Sequence, residues 1–313
     1  MKLLLTGASG FVGGAVLAAL QSRGMSVRSV FRSDAPVAEG DAVTVSSLAA
    51  DTDWSVAVSN IDVVIHCAAR VHVMHDVEVD PLMAFRAVNV DGTLNFARQS
   101  AFAGVKRFVF VSTVKVNGEG TQPGIPYTAQ DAPAPEDAYG VSKAEAEAGL
   151  RLLSDETGME VVIIRPPLVY GPGVKGNFSS LLRWVARGLP LPLGSATTNR
   201  RSLVSLDNLV DLILTCVDHP MAANQTLLVS DGEDLSTADL LRRIGKALNR
   251  PARLIPVPVS ILIIASRLLG KSSIAQRLLG SLQVDISKTC TLLNWKPPVS
   301  VDEGLRRAAQ QRL

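Results

Sequence analysis

The chain is poor in cysteine: Cys67, Cys216 and Cys290 stand far apart among 313 residues. Three scattered thiols make neither a disulfide framework nor a zinc cluster, and they fit a reducing compartment. An excess of either charge is missing too. The 31 basic and 29 acidic side chains leave a formal net charge of +2. That balance creates no field able to gather nucleic acid, so nucleic acid is not expected as a partner, and an anionic ligand has to be held by local groups. Long hydrophobic runs are also absent. The most apolar stretch, residues 257–269, falls short of the about 20 residues a bilayer span needs, and it reads as a buried or partly buried helix rather than a membrane contact. The first apolar residues, Met1 to Leu5, lead at once into a glycine-rich turn. They read as a buried strand and not as a targeting segment, so a cytoplasmic protein is expected.

What is present is a globular composition, 47% hydrophobic and 19% charged. In the first half, strand-like runs (2–6, 26–31, 62–66, 107–112, 161–165) alternate with helical periodicity (11–23, 81–103, 139–157). Strand and helix in alternation predict an α/β fold, a doubly wound parallel sheet of the Rossmann type covered on both faces. After Arg165 the composition shifts to Pro166, Pro167, Gly171, Pro172, Gly173 and Gly176. We read a dinucleotide-binding domain over 1–165, with roughly 201–230 returning to it. A smaller, mixed C-terminal substrate lobe then takes 166–200 and 231–313 and closes over the carboxyl ends of the strands, where open α/β sheets bind ligands.

Two motifs carry chemistry. Residues 6–13, Thr-Gly-Ala-Ser-Gly-Phe-Val-Gly, follow a strand and open a helix. Gly7 permits the tight turn, Gly10 lets backbone approach a diphosphate, and Gly13 lets the helix pack closely on the sheet. The N–H groups at the start of that helix, around Phe11 and Val12, are the expected cofactor contacts. At the end of the second strand an acidic side chain would bind the ribose 2′-hydroxyl of NAD, but Phe31 and Arg32 stand there, with Asp34 past the expected point. A guanidinium suits a 2′-phosphate, so NADP(H) is favoured over NAD(H). The alternatives are an Arg32 that is only a solvated charge or that stacks on adenine. In the second motif, Tyr139 and Lys143 lie four apart on one helix face. A nearby ammonium is expected to lower the phenol pKa and make Tyr139 a proton donor and acceptor. The Thr113 hydroxyl, at the end of a strand, could hydrogen-bond a substrate carbonyl or alkoxide.

The order of Gly7–Gly13, His66-Cys67-Ala68-Ala69, Asn89-Val90-Asp91-Gly92-Thr93, Ser112-Thr113, Tyr139–Lys143 and Arg165-Pro166 with Val169-Tyr170-Gly171-Pro172 resembles the extended short-chain dehydrogenase/reductases, more narrowly their NAD-dependent epimerase/dehydratase branch. The resemblance covers nearly the whole chain. It implies Thr113, Tyr139 and Lys143 as catalytic residues. With Tyr139 and Lys143, it places Ser47, Leu48, Ala68, Ala69, Asn89 and Pro166 along the cofactor. Asn177, Phe178 and Arg201 would bind the nucleotide diphosphate end of a substrate. Lys115 and Arg277 are further candidates for the substrate, although Lys115 could equally be a solvated loop charge. Where dehydratases of this branch carry Asp-Glu after the catalytic threonine, this chain has Val114 and Lys115, so dehydration is not expected. Leu168 stands where the family often has asparagine, which removes one expected diphosphate contact.

Segments such as 71–76, 114–119 and 280–285 resemble proteins of polysaccharide and O-antigen clusters, either UDP-glucose 4-epimerase-like or 4-ketoreductases making UDP-N-acetylquinovosamine-type sugars. The expected activity is reduction of the 4-keto group of a UDP-4-keto-6-deoxy-N-acetylhexosamine. One alternative is a UDP-sugar 4-epimerase with bound NAD, another a non-catalytic nucleotide-sensing protein, and a steroid-type ketone reductase is a further enzyme option. Helices 91–103 and 139–157 resemble those that pair in family homodimers, so a homodimer is expected. His66 reads as structural. His72 and His75 lie beside Asp76 without a third ligand at suitable spacing. No metal is expected there, and both histidines could line a sugar pocket instead.

Overall fold

The computed structural model describes residues 1–32, 40–71 and 80–310, apart from the Ser273 side chain. Asp34, His72, His75 and Asp76 lie outside the described residues. In chain order the first elements are β1 (Lys2–Thr6), α1 (Phe11–Ser22), β2 (Ser26–Arg32), β3 (Ala42–Val45), α2 (Ser55–Val58), β4 (Val63–His66) and α3 (Pro81–Arg86). A π-helical turn (Ala87–Gly92) joins α3 to α4 (Thr93–Phe102). There follow β5 (Arg107–Val111), α5 (Ala138–Thr157), β6 (Glu160–Arg165), β7 (Leu168–Tyr170), α6 (Gly176–Ala186), β8 (Leu203–Ser205), α7 (Leu206–Asp218) and β9 (Thr226–Leu228). The chain ends in α8 (Thr237–Ala247), α9 (Val259–Leu268), α10 (Ser272–Leu279), α11 (Ser287–Leu293) and α12 (Val301–Gln310).

Seven parallel strands form one sheet in the order β3-β2-β1-β4-β5-β6-β9, and β7 pairs with β8 in a separate two-stranded sheet. The uninterrupted apolar runs of the sequence follow from burial on both faces. Leu3 and Leu5 belong to the core on one face, with Val16 and Leu20 of α1 and Leu209 and Ile213 of α7. Leu4, between them, points into the opposite core with Phe96 of α4 and Ala146 and Leu150 of α5. Val109 and Phe110, and Ile164 and Ile163, split the same way. A third core joins α6, α8 and α12 around Tyr170, Phe178, Leu241 and Leu305.

The strand order reverses at β1, and the registers pair Thr6 with His66 and Val111 with Ile164. Gly7, Cys67, Ser112 and Pro166 therefore leave the sheet along one edge, where a doubly wound fold opens its crevice.

Two features depart from the sequence reading. The helix expected over 81–103 is interrupted by the π turn, which places Asn89 inward at 1% exposure. β3, β7 and β8 have only four, three and three residues, too short to show a period. The apolar stretch 257–269 forms a helix that is partly buried, within the expectation: α9 has no fully buried residue, and Val259, Leu262 and Ile263 are half-buried. Among its apolar residues only Leu262 packs against a core cluster.

Candidate active site

The turn after β1 is built around missing side chains. Gly7 has φ +74°, and a Cβ there would stand 2.7 Å from the Ala68 nitrogen. A Cβ on Gly13 would lie 2.1 Å from the Gly7 carbonyl oxygen, so helix and turn approach as closely as backbone allows. The Gly10 N–H donates to the Gly7 carbonyl at 2.8 Å. Gly10 caps α1 without a side-chain hydrogen bond, and the first turn carries no acidic residue. The opening N–H groups near Phe11 and Val12 thus have neither a side-chain acceptor nor a competing carboxylate, an arrangement suited to a diphosphate.

Buried polar contacts hold the neighbouring loops. Thr6 Oγ1 and His66 Nδ1 are 2.6 Å apart, and His66 Nε2 meets Thr93 Oγ1 at 3.1 Å. Burial, with the Lys143 charge in second place, pushes the His66 pKa down to about 3. The ring is neutral and structural, as expected. Asn89 accepts from the Arg70 N–H at 2.8 Å, donates to the Arg70 carbonyl at 3.0 Å, and donates to Ser142 Oγ at 3.0 Å. It ties the turn containing Ala68 and Ala69 to the helix of Tyr139 and Lys143. Ser47 and Leu48 lie where α4 approaches: a Cβ on Gly92 would stand 2.6 Å from the Leu48 carbonyl oxygen, and Ser47 Oγ is 3.3 Å from Thr52 Oγ1. Pro166 is buried at the end of β6, and its carbonyl accepts from the Val114 N–H at 2.9 Å.

Asp137 starts the helix that carries the central pair. Its Oδ1 accepts from the Gly140 N–H at 2.7 Å, an N-cap that puts Tyr139 in the first turn. Tyr139 is half-buried, with its ring edge-on to Phe85 at 5.9 Å. Among the described residues its hydroxyl has no hydrogen-bond partner in the protein. Lys143 is 1% exposed; it donates to the Val111 carbonyl at 2.7 Å and sits 3.8 Å from the centre of the Phe110 ring. Burial pulls its pKa down to about 7, with the Glu147 carboxylate opposing. Burial, then the nearby Asp137 charge, pushes the Tyr139 pKa up to about 12. Here the sequence reading needs correction. The two side chains share a helix face, but the lysine is engaged by Val111 and Phe110, and desolvation outweighs any lowering of the phenol pKa. Thr113 follows the end of β5, half-buried, its hydroxyl accepting from the Lys115 N–H at 3.3 Å.

The candidates on the substrate side divide. The Lys115 ammonium is held by Glu119 at 2.7 Å and Asp137 at 2.5 Å. Burial opposes its charge, but those two hydrogen bonds outweigh it and raise the pKa. Lys115 is therefore neither a solvated loop charge nor a free cation. Arg201 donates to the Gly280 carbonyl at 3.2 Å and has its pKa lowered, first by burial and in part by the like charge of Arg277, with Glu119 opposing. Arg201 and Arg277 thus lie within each other's field, in a chain with little net charge. Asn177 is exposed in the first turn of α6. Phe178 is a correction: its ring is fully buried against Tyr170 at 5.1 Å, so it serves the core and has no face for a ligand. Leu168 is exposed on β7.

A network unnoticed in the sequence braces the site from below. Glu147, wholly buried, takes a two-pronged contact from Arg165, at 2.9 Å and 2.6 Å, and a 2.6 Å hydrogen bond from Ser112 Oγ. Arg165 also donates to Asn117 at 3.0 Å. Asp137 had a signal, an aspartate immediately before a helical run. Glu147 and Arg165 had none, because nothing local marks a carboxylate as buried.

The parallel sheet, the glycine turn and the Tyr139–Lys143 helix together define a nucleotide-binding oxidoreductase-type fold of the short-chain dehydrogenase/reductase class. Residues 3–229 match the model of the NAD dependent epimerase/dehydratase family, and the chain belongs to that family. It is 52% identical over 310 residues to the UDP-glucose 4-epimerase of Vibrio cholerae, covering 99% of this chain and 94% of that protein. It is 29% identical to the N-acetyl-alpha-D-glucosaminyl-diphospho-ditrans,octacis-undecaprenol 4-epimerase of Escherichia coli O157:H7, over 81% of this chain and 78% of the other. Among solved structures, the UDP-N-acetylglucosamine 4-epimerase of Bacillus cereus superposes with a TM-score of 0.81 at 18% identity, covering all of both chains. The UDP-glucose 4-epimerase of Thermotoga maritima with UDP-glucose gives 0.75 at 23% identity, covering 100% of this chain and 98% of that one. At those identities the structural likeness is one of fold. The expected preference for NADP(H) finds no support. Fold neighbours include a short-chain dehydrogenase/reductase from Agrobacterium tumefaciens with bound NAD, at 24% identity, TM-score 0.76 and 100% and 97% coverage. Arg32 is exposed at the end of β2.

Proposed function

We propose that the chain is a UDP-hexose 4-epimerase working with a retained NAD. The observation that carries the reading is 52% identity to a UDP-glucose 4-epimerase across 99% of the chain, with Thr113, Tyr139 and Lys143 as the residues assigned to the chemistry. It replaces 4-keto reduction, the first expectation from the sequence, with that expectation's own alternative.

The cleft fits the cofactor. Gly7 and Gly13 leave a cradle that a single Cβ would fill, and the uncapped start of α1 offers donors to a diphosphate. Ala68, Ala69, Asn89, Tyr139, Lys143 and Pro166 would border the remainder. When bound, NAD supplies the acceptor and later the donor of a hydride at C4. The protein's part is proton handling. Tyr139 Oη receives the C4 hydroxyl proton and gives it back after the sugar has turned its other face. With a pKa near 12 Tyr139 holds a proton in the resting site and is ready as the acid, whereas its work as a base needs the Lys143 ammonium brought closer. Thr113 orients the C4 oxygen, and Arg201 with Arg277 holds the diphosphate so that only the hexosyl unit rotates. A homodimer through α4 and α5, which expose Phe102 and Leu152, completes the proposal.

The test is to incubate purified protein with UDP-glucose and, separately, UDP-N-acetylglucosamine, following C4 configuration by proton NMR. The expected result is equilibration with the galacto epimer without consumption of added nucleotide. Stoichiometric oxidation of NADPH by a UDP-4-keto-6-deoxy-N-acetylhexosamine, with no epimerisation of either sugar, would establish the reductase instead.

A further inference from the structure

The hairpin of α9 and α10 is attached to the molecule on one side only. Leu262 of α9 and Leu278 and Leu279 of α10 pack on the core of the small lobe. On the other side Ile261, Ile264 and Leu268, spaced by three and four residues, share a helix face and are 54%, 57% and 82% exposed. Leu269, at 70%, and Ile274, at 48%, carry the apolar strip across the turn. A helix whose outer face meets only water carries polar residues there. An apolar groove of about 490 Å³ runs alongside, bordered by Trp184, Leu189 and Leu193.

Charge says what covers this face. No aspartate or glutamate occurs from 161 to 206 or from 240 to 284, the stretches that contain the groove-lining residues between 184 and 193 and between 262 and 279. Arg183, Arg187, Arg253, Arg267 and Lys271 are exposed in those segments. Among the described residues none of the five has a carboxylate at salt-bridge distance. A second copy of the chain would set these cations against themselves, whereas an anionic surface complements them. Among the described residues no helix is long and apolar enough to cross a membrane, so such a contact is interfacial.

We propose that the α9–α10 hairpin docks the protein on an anionic lipid bilayer. Ile261, Ile264, Leu268 and Leu269 enter the boundary between headgroups and acyl chains, while Arg267, Lys271 and the neighbouring arginines meet acidic headgroups. The inference stands apart from the proposed reaction, because α9 carries none of the crevice residues. It is nevertheless placed to matter: α10 bears Arg277, which lies within the field of Arg201, so docking would hold these two arginines near the membrane surface.

Vesicle flotation tests it. Full-length protein is mixed with vesicles of phosphatidylcholine alone or with added phosphatidylglycerol, and the floating fraction is measured at low and high salt. Wild type is expected to float with the anionic vesicles and to be released by salt. Ile264→Asp/Leu268→Asp is expected to lower partitioning by at least about a hundredfold, from two lost side-chain insertions. Arg267→Gln/Lys271→Gln is expected to lower it about tenfold or more on anionic vesicles only. Circular dichroism and sugar turnover of both variants are expected to match wild type, since these side chains touch neither core nor crevice. Wild type remaining unbound to both vesicles, or the Asp variant floating as well as wild type, would overturn the proposal. So would a wild-type dimer in sedimentation that the Asp variant dissociates, which would assign the face to a second copy.

Discussion

Replacing Lys143 with methionine is expected to abolish turnover and, at neutral pH, to stabilise the protein. The lysine is buried, and its pKa falls from 10.5 to about 7. At 1.36 kcal/mol per unit, that shift sets an upper bound of about 4–5 kcal/mol on the cost of keeping it in the fold at pH 7. Two contacts offset part of this. The hydrogen bond to the Val111 carbonyl and the position over Phe110 would be lost, and a carbonyl left unpaired costs about 1–3 kcal/mol. The net gain is then about 1–3 kcal/mol, with methionine filling most of the same volume.

The sign with pH follows from which state takes up the proton. The unfolded chain protonates this lysine below 10.5, the folded chain only below about 7. Wild-type stability therefore declines as pH falls through that window, and below it the penalty is constant. Lys143→Met lacks this penalty, so its advantage grows as pH drops from 10.5 to 7 and then levels off. Denaturant unfolding of both proteins at several pH values between 6 and 10 measures it. A variant less stable than wild type at pH 6–7, or an advantage that does not vary with pH, would refute the reasoning.

Other outcomes follow from the same contacts. Tyr139→Phe is expected to reduce turnover by about 10²–10⁴-fold, the usual worth of a positioned acid–base group, with unchanged melting temperature because the hydroxyl is bonded to nothing in the described protein. Gly13→Ala forces a Cβ to 2.1 Å from the Gly7 carbonyl oxygen. Its expected effect is a destabilisation of about 1–3 kcal/mol or more and loss of nucleotide from the purified protein, read by thermal melt and by absorbance after denaturation. Glu147→Gln leaves the Arg165 charge buried and unmatched, a loss of about 3–5 kcal/mol in denaturant unfolding. Arg201→Ala is expected to raise KM for the UDP-sugar about tenfold or more while kcat stays within a few-fold, as for a group that binds ground state and transition state alike.

The parts of the fold legible in the sequence are those where the chain has little choice. Residues 3–5 and 161–164 are apolar throughout because both faces of their strands are buried, and the glycines of 7–13 stand where backbone meets backbone. β3 escaped notice because an edge strand of half-buried residues has no strong pattern. The π turn at Asn89 is invisible to a 3.6-residue period. In the candidate site, spacing was legible but geometry was not. Tyr139 and Lys143 follow from their spacing, yet the capture of the ammonium by Val111 and Phe110, the pinning of Lys115 between Glu119 and Asp137, and the burial of Phe178 all depend on distant segments. The stretch 257–269 was legible as a partly buried helix, but not which of its faces is left exposed. Apolar content marks a segment that wants cover, but whether the cover comes from its own core is settled only by packing.

The most direct measurement follows the hydrogen on C4. UDP-glucose deuterated at C4 is incubated with the protein in ordinary water, and both epimers are recovered at equilibrium for mass and NMR analysis. The account predicts deuterium retained at C4 of the UDP-galactose, since the hydride leaves and returns within one closed site while only the Tyr139 proton exchanges with water. Loss of the label to solvent, or conversion that persists undiminished in Tyr139→Phe, would contradict it.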